Sequence, residues 1–106
     1  MNIDYGTKYK NSVKSIKNRH SEKKTLNLII NHIKQCDDFQ ELIRNPISLM
    51  FGYESLKYEL NGYHSFNLNK NGGKIRLLFS VQGNHVILEY VSIEHYEDFK
   101  NKLRVR

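Results

Sequence analysis

The chain has 106 residues, 39% of them hydrophobic, which is the size of one small domain with a modest core. Its 17 Lys and Arg residues outnumber its 11 Asp and Glu residues, and the net charge of +6 favours either a polyanionic partner such as nucleic acid or simple solubility. Cys36 is the only cysteine, which excludes an internal disulfide and a cysteine-based zinc site. We expect a single domain over residues 1–106.

The apolar residues are spread too evenly for a membrane protein. No stretch approaches the roughly 20 apolar residues that span a bilayer. The first ten residues also lack the apolar run of a secretion signal. We therefore expect a soluble, cytoplasmic protein that does not contact membranes.

The N-terminal half predicts a short strand followed by a helical hairpin. The strand covers residues 2–5, and a basic amphipathic helix covers residues 9–17. Ser21 is the expected N-cap of a second helix. Apolar residues of that helix recur at i, i+3, i+4 and i+7, namely Leu26, Ile29, Ile30 and Ile33. Lysines between the apolar positions predict an exposed basic face formed by Lys8, Lys10, Lys14, Lys17, Lys23 and Lys24.

The C-terminal half predicts an antiparallel meander. Residues 37–53 are interrupted by Pro46 and Gly52, and we expect a loop with a short helical turn there. Three strands follow at residues 63–69, 74–81 and 85–92, separated by turns rich in Gly and Asn. A helix or turn is expected over residues 94–103. Together these elements predict an α+β domain whose helices pack on one side of a sheet, leaving the other side free for function.

Three motifs in this half resemble the YoeB-type toxins of the RelE/ParE superfamily. ESLKYELNGYHS over residues 54–65 resembles the family segment that leads into the first meander strand. KIRLLFSV over residues 74–81 resembles the arginine-bearing strand, and His95-Tyr96 resembles the closing His-Tyr pair. The resemblance implies a RelE-like (microbial-RNase-like) fold, with an N-terminal strand and helical hairpin packed on an antiparallel β-meander.

The resemblance also implies a function and a site. A type II toxin of this kind cleaves mRNA on the ribosome, without a metal or cofactor, by attack of the ribose 2′-hydroxyl. Carried over by position, Glu54 is the general base and Arg76 stabilises the phosphate. His95 is the general acid and Tyr96 its partner. A cognate antitoxin protein is the implied second partner, besides mRNA and the ribosome.

The residue types suit this chemistry. A carboxylate can take the 2′-hydroxyl proton, a permanently charged guanidinium can engage two phosphate oxygens, and an imidazole can protonate the leaving oxygen. The five histidines are scattered without a metal-binding spacing. This chain has Phe66 and Asn67 where many family members carry arginines, and we expect Lys70 and Lys74 to supply positive charge instead.

Purely structural roles also fit the same residues. Glu54 suits a solvated surface charge, and Arg76 suits the polar face of a half-buried sheet. His64 shares strand parity with Phe66, which predicts packing near the core. Three tyrosines could either stack on unpaired bases or belong to the core: Tyr53, Tyr58 and Tyr63, of which Tyr63 is our expected RNA contact.

Two other functions fit the same scaffold. One is a ParE-like toxin that inhibits DNA gyrase and needs no acid–base set. The other is a non-toxic RNA-binding domain that has kept the scaffold and lost the chemistry. The motifs leave both alternatives open.

Overall fold

The computed structural model describes the backbone of residues 1–70 and 73–93 and the side chains of residues 1–67 and 75–93. A short strand comes first, the helices follow, and most of the sheet comes last, as the sequence predicts. Two single 3-10 turns, at Val13–Ile16 and Tyr58–Leu60, join longer elements. The other elements are β1 Asn2–Tyr5, α1 Thr7–Ser12, α2 His20–Gln35, α3 Phe39–Arg44, α4 Pro46–Met50, β2 Tyr53–Ser55, β3 His64–Lys70, β4 Gly73–Gln82 and β5 His85–Ser92.

The described strands form one mixed sheet in the order β1-β5-β4-β3-β2. β3, β4 and β5 pair antiparallel, which confirms the predicted meander. β1 pairs parallel to β5, and β2 adds an antiparallel edge that the sequence did not predict. The N-terminal strand is therefore an edge strand, and β2 is the opposite edge.

The core lies between α2 and one face of the sheet. Period-2 alternation turns Ile75, Leu77 and Phe79 of β4 to this side, and each is at most 1% exposed. The apolar stripe of α2 packs against them, as predicted, with Leu26, Ile29, Ile30 and Ile33 all buried. Truncating one of these side chains to alanine typically costs about 2–5 kcal/mol.

The helical segments differ from the prediction in three places. The first helix ends at Ser12, whose hydroxyl donates to the Tyr9 carbonyl and accepts from the Val91 amide at 3.0 Å. Ser21 is not the N-cap of α2, because the helix begins at His20 and the extended residue Arg19 precedes it. Instead of one helical turn in a loop, residues 37–53 form α3 and α4. The predicted helix at 94–103 lies outside the described residues.

Two histidines are packed into the helix side of the molecule. His32 is 6% exposed and its Nε2 lies 2.7 Å from the Ser48 hydroxyl, which joins α2 to α4. The His64 ring stacks on Phe79, and its Nδ1 lies 2.9 Å from the Tyr53 hydroxyl, which agrees with the predicted core role. Burial lowers the pKa of both imidazoles, and the Glu41 carboxylate opposes this effect only at His32.

These lowered pKa values predict that acid destabilises the fold. The native state holds both imidazoles neutral, whereas the unfolded chain protonates them near pH 6.5. Their contribution is therefore complete above pH 6.5 and is lost as the pH falls through the lowered pKa values. Urea unfolding at pH 7.5 and pH 5 should show a lower free energy of unfolding at pH 5. His64→Phe, which keeps an aromatic ring, should flatten this dependence, and an unchanged slope would contradict the account.

Candidate functional site

The sheet face turned away from α2, called here the outer face, carries the predicted catalytic residues that the structure describes. Alternation along β3 and β4 sends Phe66 and Leu77 into the core and their neighbours to the outer face. Strand register then arranges the outer face in two rows. The first row is Glu54, Ser65, Leu78 and Tyr90, and the second is Asn67, Arg76 and Ser92.

Glu54 lies at the β2 edge of the first row. Its carboxylate is exposed, and the fully buried Ser65 hydroxyl donates to Glu54 Oε1 at 3.3 Å. Ser65 is directly opposite Glu54 in the β2–β3 register. One carboxylate oxygen is therefore held by the sheet while the side chain stays accessible to a ligand.

Arg76 lies at the centre of the second row. Its side chain is half-buried, and its Nε and Nη1 atoms are shielded from solvent. Asn67 of β3 pairs with it on one side and Ser92 of β5 on the other. A guanidinium charge at a site with little water acts strongly on a nearby anion, because screening there is weak.

Glu54 and Arg76 are one row and two strands apart. Strand spacing and residue rise place their Cα atoms about 10 Å apart across the sheet and about 7 Å along it. Both side chains project from the same face, so they can approach one small group between them. A phosphodiester with its adjoining ribose is of this size.

Part of the outer face is covered, which alternation along β4 did not predict. Leu78 is fully buried under Leu56 and Leu60, which lie before and at the end of the 3-10 turn between β2 and β3. The half-buried rings of Tyr63 and Tyr90 pack against this small cluster. The open face predicted from β4 is therefore wrong at Leu78, which is covered, and Arg76 on the same face is half-buried.

A cleft extends the outer face towards α1. Its volume is about 550 Å³, and it lies where β5 has diverged from β1. Tyr90 and Ser92 line it from the sheet, and Lys8, Asn11 and Ser15 line it from the helical side. Val91 and Ile93 add apolar surface, so the lining is mixed.

The remaining predicted site residues are placed only in part. Lys70 and Lys74 flank the β3–β4 turn, with Asn69 paired to Lys74, and their side chains are not described. His95 and Tyr96 lie outside the described residues. Of the two positions that depart from the family pattern, Phe66 is fully buried in the core, so only Asn67 lies on the outer face.

The structure adds residues that sequence reasoning missed. Ser65 contacts Glu54, and Asn67 and Ser92 flank Arg76. The alternation around Phe66 could have indicated that Ser65 and Asn67 share a face. Their partners depend on strand register, which the sequence does not specify for a strand as short as β2.

Among residues 1–70 and 73–93, no three His, Cys, Asp or Glu side chains lie together as a metal site would require. None of the helices in those ranges is long and apolar enough to cross a bilayer.

The sequence matches no protein-family model and no curated protein, but its structure is similar to solved toxin structures. YafQ from E. coli strain BL21(DE3) superposes with a TM-score of 0.61 at 17% identity, covering 88% of this chain and 92% of that one. The Agrobacterium tumefaciens YoeB/ParE toxin superposes with a TM-score of 0.62 at 14% identity, covering 90% of this chain and 100% of that one. A chain of the heterotetrameric YoeB-YefM toxin-antitoxin complex from Staphylococcus aureus superposes with a TM-score of 0.56 at 26% identity, covering 91% of this chain and 98% of that one. The chain therefore has the α+β fold of the RelE/YoeB-type toxin superfamily.

Proposed function

We propose that this protein is the toxin of a type II toxin–antitoxin system and an endoribonuclease that cleaves mRNA on the ribosome. The observation that carries the proposal is that Glu54 and Arg76 share the outer face, one row apart. An accessible carboxylate and a shielded guanidinium on one face can serve attack on a phosphodiester bound between them. The fold shared with solved toxins supports the same conclusion.

The proposed reaction uses the RNA's own 2′-hydroxyl as nucleophile. Glu54 removes its proton, the oxygen attacks the adjacent phosphorus, and the bond to the 5′-oxygen breaks. Arg76 neutralises the charge that develops on the phosphate oxygens. His95 delivers a proton to the leaving 5′-oxygen with Tyr96 beside it, and β5 ends at Ser92, three residues before His95 and opposite Arg76.

Other residues have supporting roles in this proposal. Ser65 holds one oxygen of Glu54, which leaves the other oxygen free to accept the proton. Lys70 and Lys74 contribute positive charge at the β3–β4 turn, and Tyr63 contacts the RNA at the edge of the covered part of the outer face. The reaction as proposed takes no metal or cofactor from the protein.

The proposed partners are an antitoxin and the translating ribosome in the cytoplasm. The Staphylococcus aureus YoeB structure is a toxin-antitoxin complex, and we infer an equivalent partner here. Exposed lysines of the α1–α2 region give this side of the molecule a positive surface: Lys10, Lys14, Lys17, Lys23 and Lys24. Such a surface suits ribosomal RNA phosphates and an antitoxin segment that is acidic where it binds.

Mapping of mRNA 5′ ends in bacteria that express the protein tests the proposal. The wild-type chain should produce new ends at fixed positions within translated codons, and Arg76→Ala should not. Arg44→Ala is the matched control, because Arg44 is an exposed arginine on α3 that is absent from the outer face. Arrested growth with intact messages would contradict the nuclease.

A second candidate function is inhibition of DNA gyrase by a ParE-like toxin. It is favoured by Asn67, which puts an amide where many family nucleases carry an arginine, and by the similarity to the Agrobacterium YoeB/ParE toxin. Purified protein should then inhibit supercoiling without loss of message. Harmless overexpression would instead support a non-toxic RNA-binding domain.

A further inference from the structure

Tyr58 has a backbone conformation that is unusual for a tyrosine. Its φ is +57°, and it is the one non-glycine residue with positive φ in the described part of the chain. This left-handed conformation is sterically costly for a side chain with a Cβ. Strained residues persist only where the surrounding structure enforces them, and they are concentrated at functional sites.

Two buried leucines enforce the conformation. Leu56 and Leu60, on either side of Tyr58, are 6% and 4% exposed and pack on Leu78 of the outer face. The turn between them is closed by the Asn61 amide, which donates to the Tyr58 carbonyl at 3.0 Å. The backbone is thus fixed at both ends while the tyrosine side chain makes no contribution to the core.

The ring itself projects into solvent. Tyr58 is 90% exposed, the highest value among the large hydrophobic residues that are described as exposed. Tyr53, by contrast, packs on Phe66, and its hydroxyl shares a hydrogen bond with the His64 ring. Tyr63 packs on the small leucine cluster. Of the three tyrosines considered for base stacking, Tyr58 alone presents a free aromatic face.

The position of Tyr58 connects it to the candidate site. It lies four residues after Glu54, on the segment that crosses the outer face at the row of Glu54 and Ser65. The exposed Lys57 precedes it in the chain, so a positive charge belongs to the same short segment. An exposed aromatic ring on a fixed backbone, next to a lysine in the chain, suits an unpaired nucleotide, by stacking on the base and attracting the phosphate.

We propose that Tyr58 is a stacking platform for an unpaired base of the RNA strand that crosses the outer face. The inference rests on the proposed nuclease function and specifies how the substrate is held there. The stacked base lies next to the phosphodiester between Glu54 and Arg76. Because every base has an aromatic face, the contact fixes the strand's position more than it selects a sequence.

The test compares Tyr58→Gly and Tyr58→Phe in cleavage of a message on programmed ribosomes. Glycine adopts positive φ freely, so Tyr58→Gly should raise the melting temperature by a few degrees while it lowers kcat/KM by about tenfold. Tyr58→Phe keeps the ring and should cleave like the wild type. Lower activity in a more stable protein cannot be attributed to misfolding.

The control is Tyr5→Ala, which removes another exposed tyrosine, on β1 at the opposite edge of the sheet, and should leave cleavage unchanged. Wild-type cleavage by Tyr58→Gly would overturn the stacking role and leave the nuclease proposal standing.

If the wild type itself does not cleave, the nuclease proposal fails, and a 2′-O-methyl oligoribonucleotide containing 2-aminopurine decides the binding role. If the wild type and Tyr58→Phe quench the 2-aminopurine fluorescence and Tyr58→Gly does not, the stacking role of Tyr58 is retained. Equal fluorescence with all three proteins rejects it.

Discussion

Arg76→Ala is expected to slow cleavage of a message on programmed ribosomes by about 100- to 1,000-fold, the loss typical when one group that stabilises transition-state charge is removed. The guanidinium is half-buried with two nitrogen atoms shielded from solvent, so water cannot replace its charge at the phosphate. Arg76→Lys should recover part of the rate, since an ammonium keeps the charge but not the planar fork. Single-turnover rates at saturating protein measure the effect.

Controls separate this effect from a loss of structure. Arg76→Met keeps most of the side-chain volume without the charge, and it should be as inactive as Arg76→Ala with a native-like melting temperature. Arg44→Ala should cleave at the wild-type rate. Wild-type cleavage by Arg76→Met would show that the charge of Arg76 plays no part in the reaction.

Gly52→Ala is expected to lower the free energy of unfolding by about 2–5 kcal/mol, combining left-handed strain with steric overlap. Gly52 has φ +75°, and a Cβ there would lie 2.0 Å from the Asn67 carbonyl oxygen and 2.8 Å from its carbon. These are backbone atoms that cannot move aside as a flexible side chain would. The Gly52 carbonyl oxygen also accepts a hydrogen bond from the Asn67 amide at 3.0 Å. The clash therefore falls where β2 begins to pair with β3.

The matched control for this substitution is Gly83→Ala. Gly83 has φ +59° in the β4–β5 turn, but a Cβ there would meet nothing within 4 Å. It should therefore cost only the strain of about 1–2 kcal/mol. Urea unfolding of both variants gives the comparison. Equal losses of stability would show that the close approach of Gly52 to Asn67 is not what constrains this position.

Much of the fold was predictable from local patterns. Alternation in β4 and the Gly-containing turn before His85 predicted the meander, and the apolar stripe of α2 predicted the face that is buried. α3 and α4 were predicted only as one short helical turn in a loop, although the sequence carries an N-cap signal for each. The Asp38 carboxylate accepts from the Glu41 amide at 2.9 Å, and the Asn45 side chain accepts from the Ile47 amide at 2.8 Å, with Pro46 at the first helical position.

Other features depend on tertiary contacts and could not be predicted locally. β2 has only three residues, too few to show a period, and it exists because β3 supplies its hydrogen-bonding partner. Ser21 was a reasonable N-cap by residue type. Its neighbour Glu22 is buried instead, and Arg19 pairs with that carboxylate at 3.2 Å, where α2 starts two residues earlier than a Ser21 cap allows.

The candidate site was predicted as residues but not as an arrangement. The motifs identified Glu54 and Arg76, yet only the register through Ser65 and Asn67 brings both to the outer face. The leucine cluster that covers Leu78 could not be read from β4 alone, because Leu56 and Leu60 belong to a different segment. The roles of all the predicted site residues stay predictions: Glu54, Arg76, His95, Tyr96, Tyr63, Lys70 and Lys74.

The chemistry of the cut ends tests the central claim most directly. A message with a single 2′-deoxynucleotide at a mapped cleavage position is translated in vitro with the wild-type protein beside the all-ribose message. The account predicts cleavage of the all-ribose message to a 2′,3′-cyclic phosphate and a 5′-hydroxyl, and no cut at the deoxy position. Cleavage at the deoxy position, or a product with a 5′-phosphate, would contradict attack by the 2′-hydroxyl.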